Sequence, residues 1–501
     1  MRNISSKSFL SLRHIVGCCK VSCITLSHWG ITTSFRRFGQ PASQTHPHLI
    51  AEGEVTPGIT RAEYHQRRCK LVQAAVKTFR GVKSVKDHLF IFPSSTTSYM
   101  TNDIPYPFRQ NTDFLYFSGF LEPDSLLLIE ANHKSVDGAH VSHLFVPRRD
   151  PSRELWDGPR SGTDGAIKLT GVDASFTTGE LGKYLQYYNH QHKDYVLWYN
   201  HGRPVHADFH HRILEQVMKD QKHKCVENPT MNCHKLRALK SPAEVQLMQR
   251  SADIASEAFM ETMKFSRPMV NEAHLWAKMD FECRIRGAEF LAYPPVVAGG
   301  TRANIIHYIT NNQVIVDGDL VLMDAGCELH GYASDLTRTW PVSGKFTKPQ
   351  KELYNATLRV QEACIKLCTN QYSLDELFHE MLLLLAEELT HLGIIAAESS
   401  PEEKLQLARK FCPHHVGHYL GMDVHDTSTM SRKAKLKPNM VITIEPGIYI
   451  REDDFTVSPE YRGIGIRVED NILITDSAPL NLSASCPKEI EEIEGIMAAR
   501  A

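Results

Sequence analysis

Two aspartates, Asp324 and Asp335, occupy similar positions in two apolar, β-branched runs of the stretch from Leu320 to Trp340. A short polar segment separates the two runs, which predicts a β-hairpin. With the turn at Leu329 and His330, the two aspartates would face each other across the hairpin and point from the same face. Directly opposed like charges destabilise a sheet, so this pair indicates a bound cation or a shared proton. The alternative is that one aspartate caps a turn and the other is solvated.

Two more segments carry residue types that bind metal ions. The run HHVGHYLGMDVHD at 414–426 combines histidines with glycines, which suits a loop that presents imidazoles. Its histidines are His414, His415, His418 and His425. The run MVITIEPGIYI at 440–450 is predicted as one buried strand, and its only charged residue is Glu445. A carboxylate in such a strand is costly unless it is paired or coordinated.

The run GIGIRVEDNILIT at 463–475 completes this set of segments. It is predicted as one apolar strand in which Arg467 and Glu469 alternate onto one face, with a plain salt bridge as the alternative. Four carboxylates and one imidazole embedded in apolar strands favour hard divalent cations such as Mn²⁺, with Co²⁺ or Zn²⁺ as alternatives. Five protein ligands are enough for two ions only if some of them bridge, as in metal-assisted hydrolysis by a shared hydroxide.

Helices and strands must position these segments. The sequence Ser-Pro-Ala-Glu at 241–244 predicts a strong start for a helix that reaches about Phe265, and Thr60 predicts the cap of a helix over Arg61–Phe79. Further predicted helices cover 271–287, 351–368 and 374–392. Before residue 230, the apolar runs HLFIFPSS, SLLLIEA, HLFVP and YVLWYN are predicted as buried strands, spaced by helical or loop segments. This alternation predicts an α/β domain.

The ligand-type residues occur in a familiar order and context. They are Asp324, Asp335, His418, Glu445 and Glu469. In that order they resemble the five metal ligands of the pita-bread metallopeptidases, and within them the aminopeptidase P family (peptidase family M24B). The resemblance extends from about Gly53 to near the C-terminus and includes GEVTPGIT and IPYPFRQNTDFLYFSGF. It implies a creatinase/aminopeptidase P-type α/β domain at 51–230 followed by a pita-bread catalytic domain at 231–501.

The resemblance also implies a role for each residue. Asp335 and Glu469 would bridge the two ions, and Asp324 would hold one of them. His418 and Glu445 would hold the other ion, and Glu445 would also accept a proton from the attacking water. The residues that match substrate-binding positions are Tyr293, His307, His414, His425 and Arg467, and His414 and His425 would also help with proton transfer.

The implied reaction is metal-dependent release of the N-terminal residue from peptides and proteins with proline in second position. A hydroxide held between two divalent cations, with Mn²⁺ favoured, would attack the scissile carbonyl. An Xaa-Pro bond lacks the N–H and has a fixed φ, so a site shaped for it is selective. The alternatives are a prolidase restricted to dipeptides, trimming of imported proteins without a strict need for proline, and a pita-bread binding protein that has lost catalysis.

The composition limits which binding partners and which cellular compartment are expected for this protein. A chain of 501 residues has room for two or three domains, and its formal net charge of -2 argues against a nucleic-acid partner. No stretch approaches about 18 consecutive apolar residues, so no membrane span is predicted. Twelve cysteines are scattered without a CxxC pair, which predicts free thiols in a reducing compartment.

The first 51 residues contain no Asp or Glu, while Lys and Arg supply positive charge among Ser, Thr and apolar residues. This pattern predicts a mitochondrial transit peptide in residues 1–50, with a disordered basic tail as the alternative. Processing is expected after Arg37, next to Phe38. The mature chain would then lie in the mitochondrial matrix, and a cytoplasmic form is also allowed.

The sequence does not decide the role of two surfaces of the amino-terminal half. Residues 104–125 are rich in Pro and aromatics and too polar for a plain strand. They either line a binding surface or form a loop whose aromatic side chains pack inward. The resemblance implies a homodimer or homotetramer formed through the amino-terminal domain, and an exposed patch near Trp156 is the expected place for that contact.

Overall fold

The computed structural model describes residues 38–82, 84–220, 223 and 225–499, and its strands and helices are numbered here in chain order. The strands of the amino-terminal half are β1 Glu54–Thr56, β2 Ile59–Thr60, β3 Asp87–Pro93, β4 Leu126–Asn132, β5 Val141–Val146, β6 Ala174–Thr177, β7 Tyr195–Trp198 and β8 Cys225–Glu227. Its helices are α1 Arg61–Thr78, α2 Thr112–Ser118, α3 Pro151–Asp157, α4 Gly162–Thr170, α5 Leu181–Gln191, α6 Ala207–Phe209, α7 Glu215–Lys219 and α8 Thr230–Arg237.

The carboxy-terminal half continues the numbering. Its strands are β9 Phe290–Leu291, β10 Val296–Gly299, β11 Leu320–Ala325, β12 Cys327–Leu329, β13 Tyr332–Ala333, β14 Leu336–Pro341, β15 Val441–Ile444, β16 Gly447–Tyr449, β17 Gly465–Arg467, β18 Asp470–Leu473 and β19 Leu480–Asn481. Its helices are α9 Pro242–Phe265, α10 Glu272–Ile285, α11 Lys348–Lys366, α12 Leu374–His391, α13 Pro401–Phe411 and α14 Ile490–Ala498.

A six-stranded sheet organises the amino-terminal half. Its strand order is β6-β5-β4-β3-β7-β8. The central pairs β3–β4 and β4–β5 are antiparallel, and the outer pairs β5–β6, β3–β7 and β7–β8 are parallel. Every side chain from Leu126 to Ile129 is fully buried, because both faces of the sheet are covered. The predicted α/β domain is thereby confirmed.

The predicted helix starts at Thr60 and Ser241 are confirmed. Thr60 accepts a hydrogen bond from the backbone of Glu63, and Ser241 and Glu244 form a reciprocal capping box ahead of Pro242. Such a cap contributes about 1 kcal/mol to helix stability. Sequence analysis overlooked helix α13, although Ser400 begins the same capping-box pattern there.

The hairpin that carries the two aspartates has a different turn from the one predicted. The turn residues are His330 and Gly331, with φ of 53° and 83°, as in a two-residue hairpin turn. Asp324 therefore faces Thr337, and the predicted direct pairing of Asp324 with Asp335 is wrong. The register is shifted by two residues. Because side chains alternate with a period of two, this shift keeps both aspartates on one face.

The two apolar runs predicted as single strands are each interrupted. The run 440–450 breaks at Pro446, so β15 pairs with β18 whereas β16 pairs with β17. Proline lacks the N–H that a continuous ladder would need. The run 463–475 breaks at Glu469, whose backbone N–H donates to Thr337 O over 3.1 Å. Both interruptions therefore fall at or next to a predicted ligand.

The two halves share a buried apolar cluster. Tyr332, Leu420 and Met422 of the carboxy-terminal half pack in the same cluster as Leu71 of α1 and Phe114 of α2. The described residues belong to one compact unit. The domain boundary between residues 230 and 231 stays a prediction.

Residues 1–37, which hold most of the predicted transit peptide, lie outside the described residues. The rest of that segment folds onto the amino-terminal half. Gln40 donates to Gly119 O over 3.2 Å and accepts from the backbone N of Leu121 over 2.7 Å. Phe38 and Ala42 are buried beside it. Part of the segment 38–50 is therefore folded, while the transit peptide itself stays a prediction.

In the aromatic segment 104–125, some side chains pack inward and others are exposed, so each of the two predicted alternatives holds for part of the segment. Phe114, Phe117 and Phe120 are fully buried, whereas Ile104 and Tyr106 are each 52% exposed. All cysteines in the part of the chain that the structure describes are free thiols, as predicted. Among those residues, no helix combines the length and the apolar character needed to cross a membrane.

Candidate metal centre

Tyr293 joins the two aspartates of the hairpin. Its Oη lies 2.6 Å from Asp324 Oδ1 and 2.5 Å from Asp335 Oδ1. The backbone permits this approach because Gly326 packs against Ser334 O so closely that a Cβ would overlap it. The two carboxylates therefore meet on one side of the hairpin even though the aspartates are not directly paired.

His418 and Glu469 complete a cluster around Asp335. One ligand atom from each of these three residues lies within 4.8 Å of the other two. His418 Nε2 is 3.3 Å from Asp335 Oδ2 and 3.6 Å from Glu445 Oε1. The Nδ1 of His418 lies 3.1 Å from Tyr419 O, so a proton on Nδ1 is satisfied there and Nε2 is free to bind a cation. The structure thus brings three of the five predicted ligands into one cluster, with Glu445 beside His418 and Asp324 linked through Tyr293.

The electrostatics of the cluster favour a bound cation. Burial, together with the charge of Asp335, raises the pKa of Glu469 well above its usual range. Burial also raises the pKa of Glu445 to about 7. Among the described residues, Arg467 is the one arginine or lysine side chain that hydrogen-bonds a carboxylate of the five predicted ligands. An excess of buried carboxylate oxygens with one imidazole is the donor set of a hard divalent ion, so the residues fit such a metal.

The hydrogen bond between Asp335 and His418 shifts the pKa of both groups. Burial alone would lower the pKa of His418, but its hydrogen bond to Asp335 and the charge of Glu445 raise that pKa to about 9. Burial alone would raise the pKa of Asp335, and the hydrogen bond from His418 holds it below its usual value.

Arg467 orients several groups of the centre. Its Nη2 donates to Asp324 Oδ2 over 2.6 Å, its Nε to Thr337 Oγ1 over 3.0 Å, and its Nη1 to Tyr449 Oη over 2.8 Å. Thr337 in turn donates to Glu469 Oε2 over 2.6 Å. One guanidinium therefore fixes the positions of two predicted ligands, directly or through a threonine.

His414 is held by the same network. Its Nδ1 lies 2.9 Å from His415 O, so that nitrogen donates and Nε2 accepts from Tyr449 Oη over 2.9 Å. Burial and the charge of Arg467 lower the pKa of His414 to about 4, so the ring is neutral. Sequence reasoning missed Tyr449. Its contacts depend on the pairing of β16 with β17, so no local signal in the sequence marked it.

A cavity of about 490 Å³ opens above the centre. The predicted site residues on its wall are His307, His414, His418, His425 and Glu445. The rings of His418 and His425 lie 4.4 Å apart. Tyr293 and Arg467 are not on the cavity wall, since they contact the carboxylates behind it. Leu374, Met430 and Arg432 also line the cavity, and sequence analysis did not select them.

Two protein families match this chain. Residues 246–476 match "Metallopeptidase family M24", and residues 64–198 match "Aminopeptidase P, N-terminal domain". The fold and the acidic centre define a metallopeptidase, and the chain belongs to metallopeptidase family M24. Within that family it is an enzyme of the aminopeptidase P type, as the sequence resemblance implied.

Individual relatives are similar in sequence or structure to this chain along most of their length. "Xaa-Pro aminopeptidase 3" of Mus musculus is 50% identical over 463 residues, which cover 92% of this chain and 90% of the relative. "Intermediate cleaving peptidase 55, mitochondrial" of Arabidopsis thaliana is 38% identical over 467 residues, or 93% of this chain and 89% of the relative. The solved structure of Escherichia coli aminopeptidase P with the inhibitor Pro-Leu has a TM-score of 0.79 at 35% identity, covering 88% of this chain and 99% of that one.

Proposed function

We propose that this chain is a two-metal aminopeptidase that removes one residue from peptides and proteins whose second residue is proline. The observation that carries the proposal is the convergence of Asp335, His418 and Glu469 within 4.8 Å beneath a cavity lined by histidines. The similarity to relatives named Xaa-Pro aminopeptidase supports the substrate class.

The proposed ligand set follows the family pattern. Asp335 and Glu469 would contribute to holding both ions, and Asp324 would hold one of them. His418 and Glu445 would hold the other ion. The oxygen-rich donor set favours Mn²⁺. When bound, the ions would supply a nucleophile of lowered pKa and would polarise the scissile carbonyl.

The side chains of the site have separate tasks in this proposal. Glu445 accepts the proton of the attacking water, since one of its carboxylate oxygens faces the cavity beside His418. Neutral His414 accepts from Tyr449 at its Nε2, lies on the cavity wall, and would contact the substrate and help with proton transfer together with His425. His425 and His307 contact the substrate, and His425 helps to deliver a proton to the departing proline nitrogen.

The wall of the cavity suits an Xaa-Pro bond. Such a bond has no N–H to satisfy, and its ring fixes the chain direction. A cavity lined by imidazoles has proton carriers close to the tertiary nitrogen of such a bond. Removal of a single residue requires that the free amino group be held at the ions.

The proposed location is the mitochondrial matrix. The acid-free, basic first 51 residues and the similarity to a relative named mitochondrial support it. Processing of imported proteins is the proposed role there, and a cytoplasmic form is the alternative. A homodimer or homotetramer is proposed from the family pattern. Trp156, which is 84% exposed on α3, is the proposed centre of the contact.

The test is hydrolysis of three matched peptides, Xaa-Pro, Xaa-Pro-Pro and Xaa-Ala-Pro, by the purified chain with Mn²⁺ and after chelation. Metal-dependent cleavage of Xaa-Pro-Pro, with little cleavage of Xaa-Ala-Pro, is expected. Cleavage of the dipeptide alone would make the protein a prolidase. Equal cleavage of Xaa-Ala-Pro would remove the proline requirement, and no cleavage of any peptide would favour a binding role.

A further inference from the structure

Arg237, the last residue of α8, hydrogen-bonds two aspartates of the loop that carries His425, one before and one after that histidine. Its Nη2 donates to Asp423 Oδ2 over 2.6 Å and also hydrogen-bonds Asp426 Oδ1. Asp423 stands two residues before His425, and Asp426 follows it directly. The Nη1 of Arg237 donates over 2.8 Å to Asp113 of α2, so one buried guanidinium links the amino-terminal half to this loop.

The loop is held in a conformation that its own sequence does not favour. Thr427 has a φ of +46°, which is strained for a β-branched residue. Gly421 lies so close to Asp426 that a Cβ would reach within 2.3 Å of its carboxylate. Lys240, also buried, places its Nζ 3.6 Å from Asp426 Oδ2. Strain persists only where the surroundings impose it, and here the surroundings include the charged side chains of Arg237 and Lys240.

The loop that Arg237 holds contacts the proposed metal centre directly. The backbone N–H of Asp426 donates to Tyr419 O over 2.9 Å, next to His418. The rings of His418 and His425 lie 4.4 Å apart on the cavity wall. A second arginine acts nearby, since Arg109 Nη2 donates to Met422 O over 2.8 Å. Displacement of Asp426 would therefore move His425 relative to the substrate.

We propose that Arg237 is a positioning residue for the peptidase reaction, which acts by fixing the backbone around His425. This inference rests on the proposed function. The geometry requires arginine, because a planar fork with several donors reaches Asp113, Asp423 and Asp426 at once, whereas the ammonium of lysine is a single point of charge. Asp113 of α2, in the amino-terminal half, therefore contributes to the position of this loop through Arg237.

The test is a double-mutant cycle of Arg237→Lys with His425→Ala, measured as kcat and KM on Xaa-Pro-Pro with Mn²⁺. In the chain with His425, Arg237→Lys should lower kcat by about 10- to 100-fold, as a small misplacement of a catalytic group does. In the His425→Ala background the same change should cost less than about twofold, because the group that Arg237 positions is already absent.

Two further variants keep the test decisive. Asp423→Asn replaces the test if Arg237→Lys does not fold, because it weakens one partly exposed partner of Arg237. It should lower kcat by a smaller factor in the chain with His425 and have little effect in the His425→Ala background. Arg68→Lys is the matched control: Arg68 is equally buried, but its hydrogen bonds end on Phe117 O and His140 within the amino-terminal half. Arg68→Lys should lower the melting temperature without changing kcat.

The outcomes separate this inference from the proposed function. Equal losses in both backgrounds, or an unchanged kcat in Arg237→Lys, would overturn the positioning role. If turnover in His425→Ala is too slow to follow, calorimetric binding of the dipeptide Pro-Leu by the same four Mn²⁺-loaded proteins supplies the cycle. An unmutated chain that cleaves no peptide would refute the proposed function, whereas an active chain that is indifferent to Arg237→Lys would refute only the inference.

Discussion

Tyr293 Oη lies 2.6 Å from Asp324 Oδ1, and the same oxygen lies 2.5 Å from a carboxylate oxygen of Asp335. A single hydroxyl therefore fixes the separation of two carboxylates, one in β11 and the other between β13 and β14. The opposite oxygen of Asp324 is taken by Arg467. The centre is organised by neutral and cationic donors before any metal ion enters it.

Removing that hydroxyl should weaken metal binding. Tyr293→Phe keeps the ring and loses the Oη contact, so Asp324 and Asp335 are no longer held at a fixed spacing. Loss of a group that orients metal ligands lowers affinity about 10- to 100-fold. Titration of the chelated protein with Mn²⁺ measures this change. An unchanged dissociation constant would mean that the backbone alone sets the spacing.

Asp335→Asn should abolish hydrolysis and lower the metal content. Asp335 lies at the middle of the cluster, within reach of Tyr293 and His418, and the substitution removes a charge proposed to bridge both ions. Metal analysis after gel filtration, together with hydrolysis of Xaa-Pro-Pro, tests both effects. Asp137→Asn, on an exposed loop of the amino-terminal half, is the control and should behave like the unmutated chain. Full turnover of Asp335→Asn would refute the assignment.

His414→Ala should keep its metal and lose rate. Its Nε2 bonds Tyr449 and its nearest carboxylate oxygen, on Glu445, is 3.8 Å away, so it is not needed to hold an ion. A loss of about 10²- to 10⁴-fold in kcat is expected if it assists proton movement. Metal content measured beside kcat separates the two roles. A metal-depleted His414→Ala protein would show that the residue belongs to the ligand shell.

Stability should fall as the pH drops from 6.5 towards 4. His88 is buried and accepts a hydrogen bond from Trp198 Nε1 over 3.1 Å. Burial lowers the pKa of His88 to about 4. The unfolded chain binds this proton below pH 6.5 and the folded chain does not, so the contribution is present above pH 6.5 and is lost as the pH falls. At pH 5 the loss is about 2 kcal/mol.

Urea unfolding of the unmutated chain and of His88→Asn at pH 7 and pH 5 isolates this contribution. The asparagine can still accept from Trp198 but cannot titrate. The difference in the free energy of unfolding between the two proteins should therefore shrink at pH 5. A difference that does not depend on pH would show that His88 is not the group concerned.

The sequence predicted which residues form the centre better than how the chain brings them there. The shared face of Asp324 and Asp335 was predictable because strand periodicity survives a two-residue error in register. The error itself came from the turn, where His330 adopts a positive φ that its residue type does not demand. The strand break before Gly447 was visible in Pro446, but the one at Glu469 depends on a hydrogen bond to Thr337 and carried no local signal.

Other features depend on contacts between distant parts of the chain. Tyr449 contacts Arg467 and His414 only because β16 and β17 pair beside the loop of histidines. Arg237 reaches Asp423 and Asp426 across 186 and 189 residues. Neither could be selected from local pattern, since no periodicity or motif specifies such contacts.

The central claim is that buried carboxylates and one histidine hold the ions that hydrolysis needs. The most direct measurement is the rate of Xaa-Pro-Pro hydrolysis by the chelated chain as Mn²⁺ is added back, with the bound ions counted at each point. The account predicts negligible rate without metal and recovery that is complete at about two bound ions per chain. Undiminished hydrolysis by the chelated chain would contradict it.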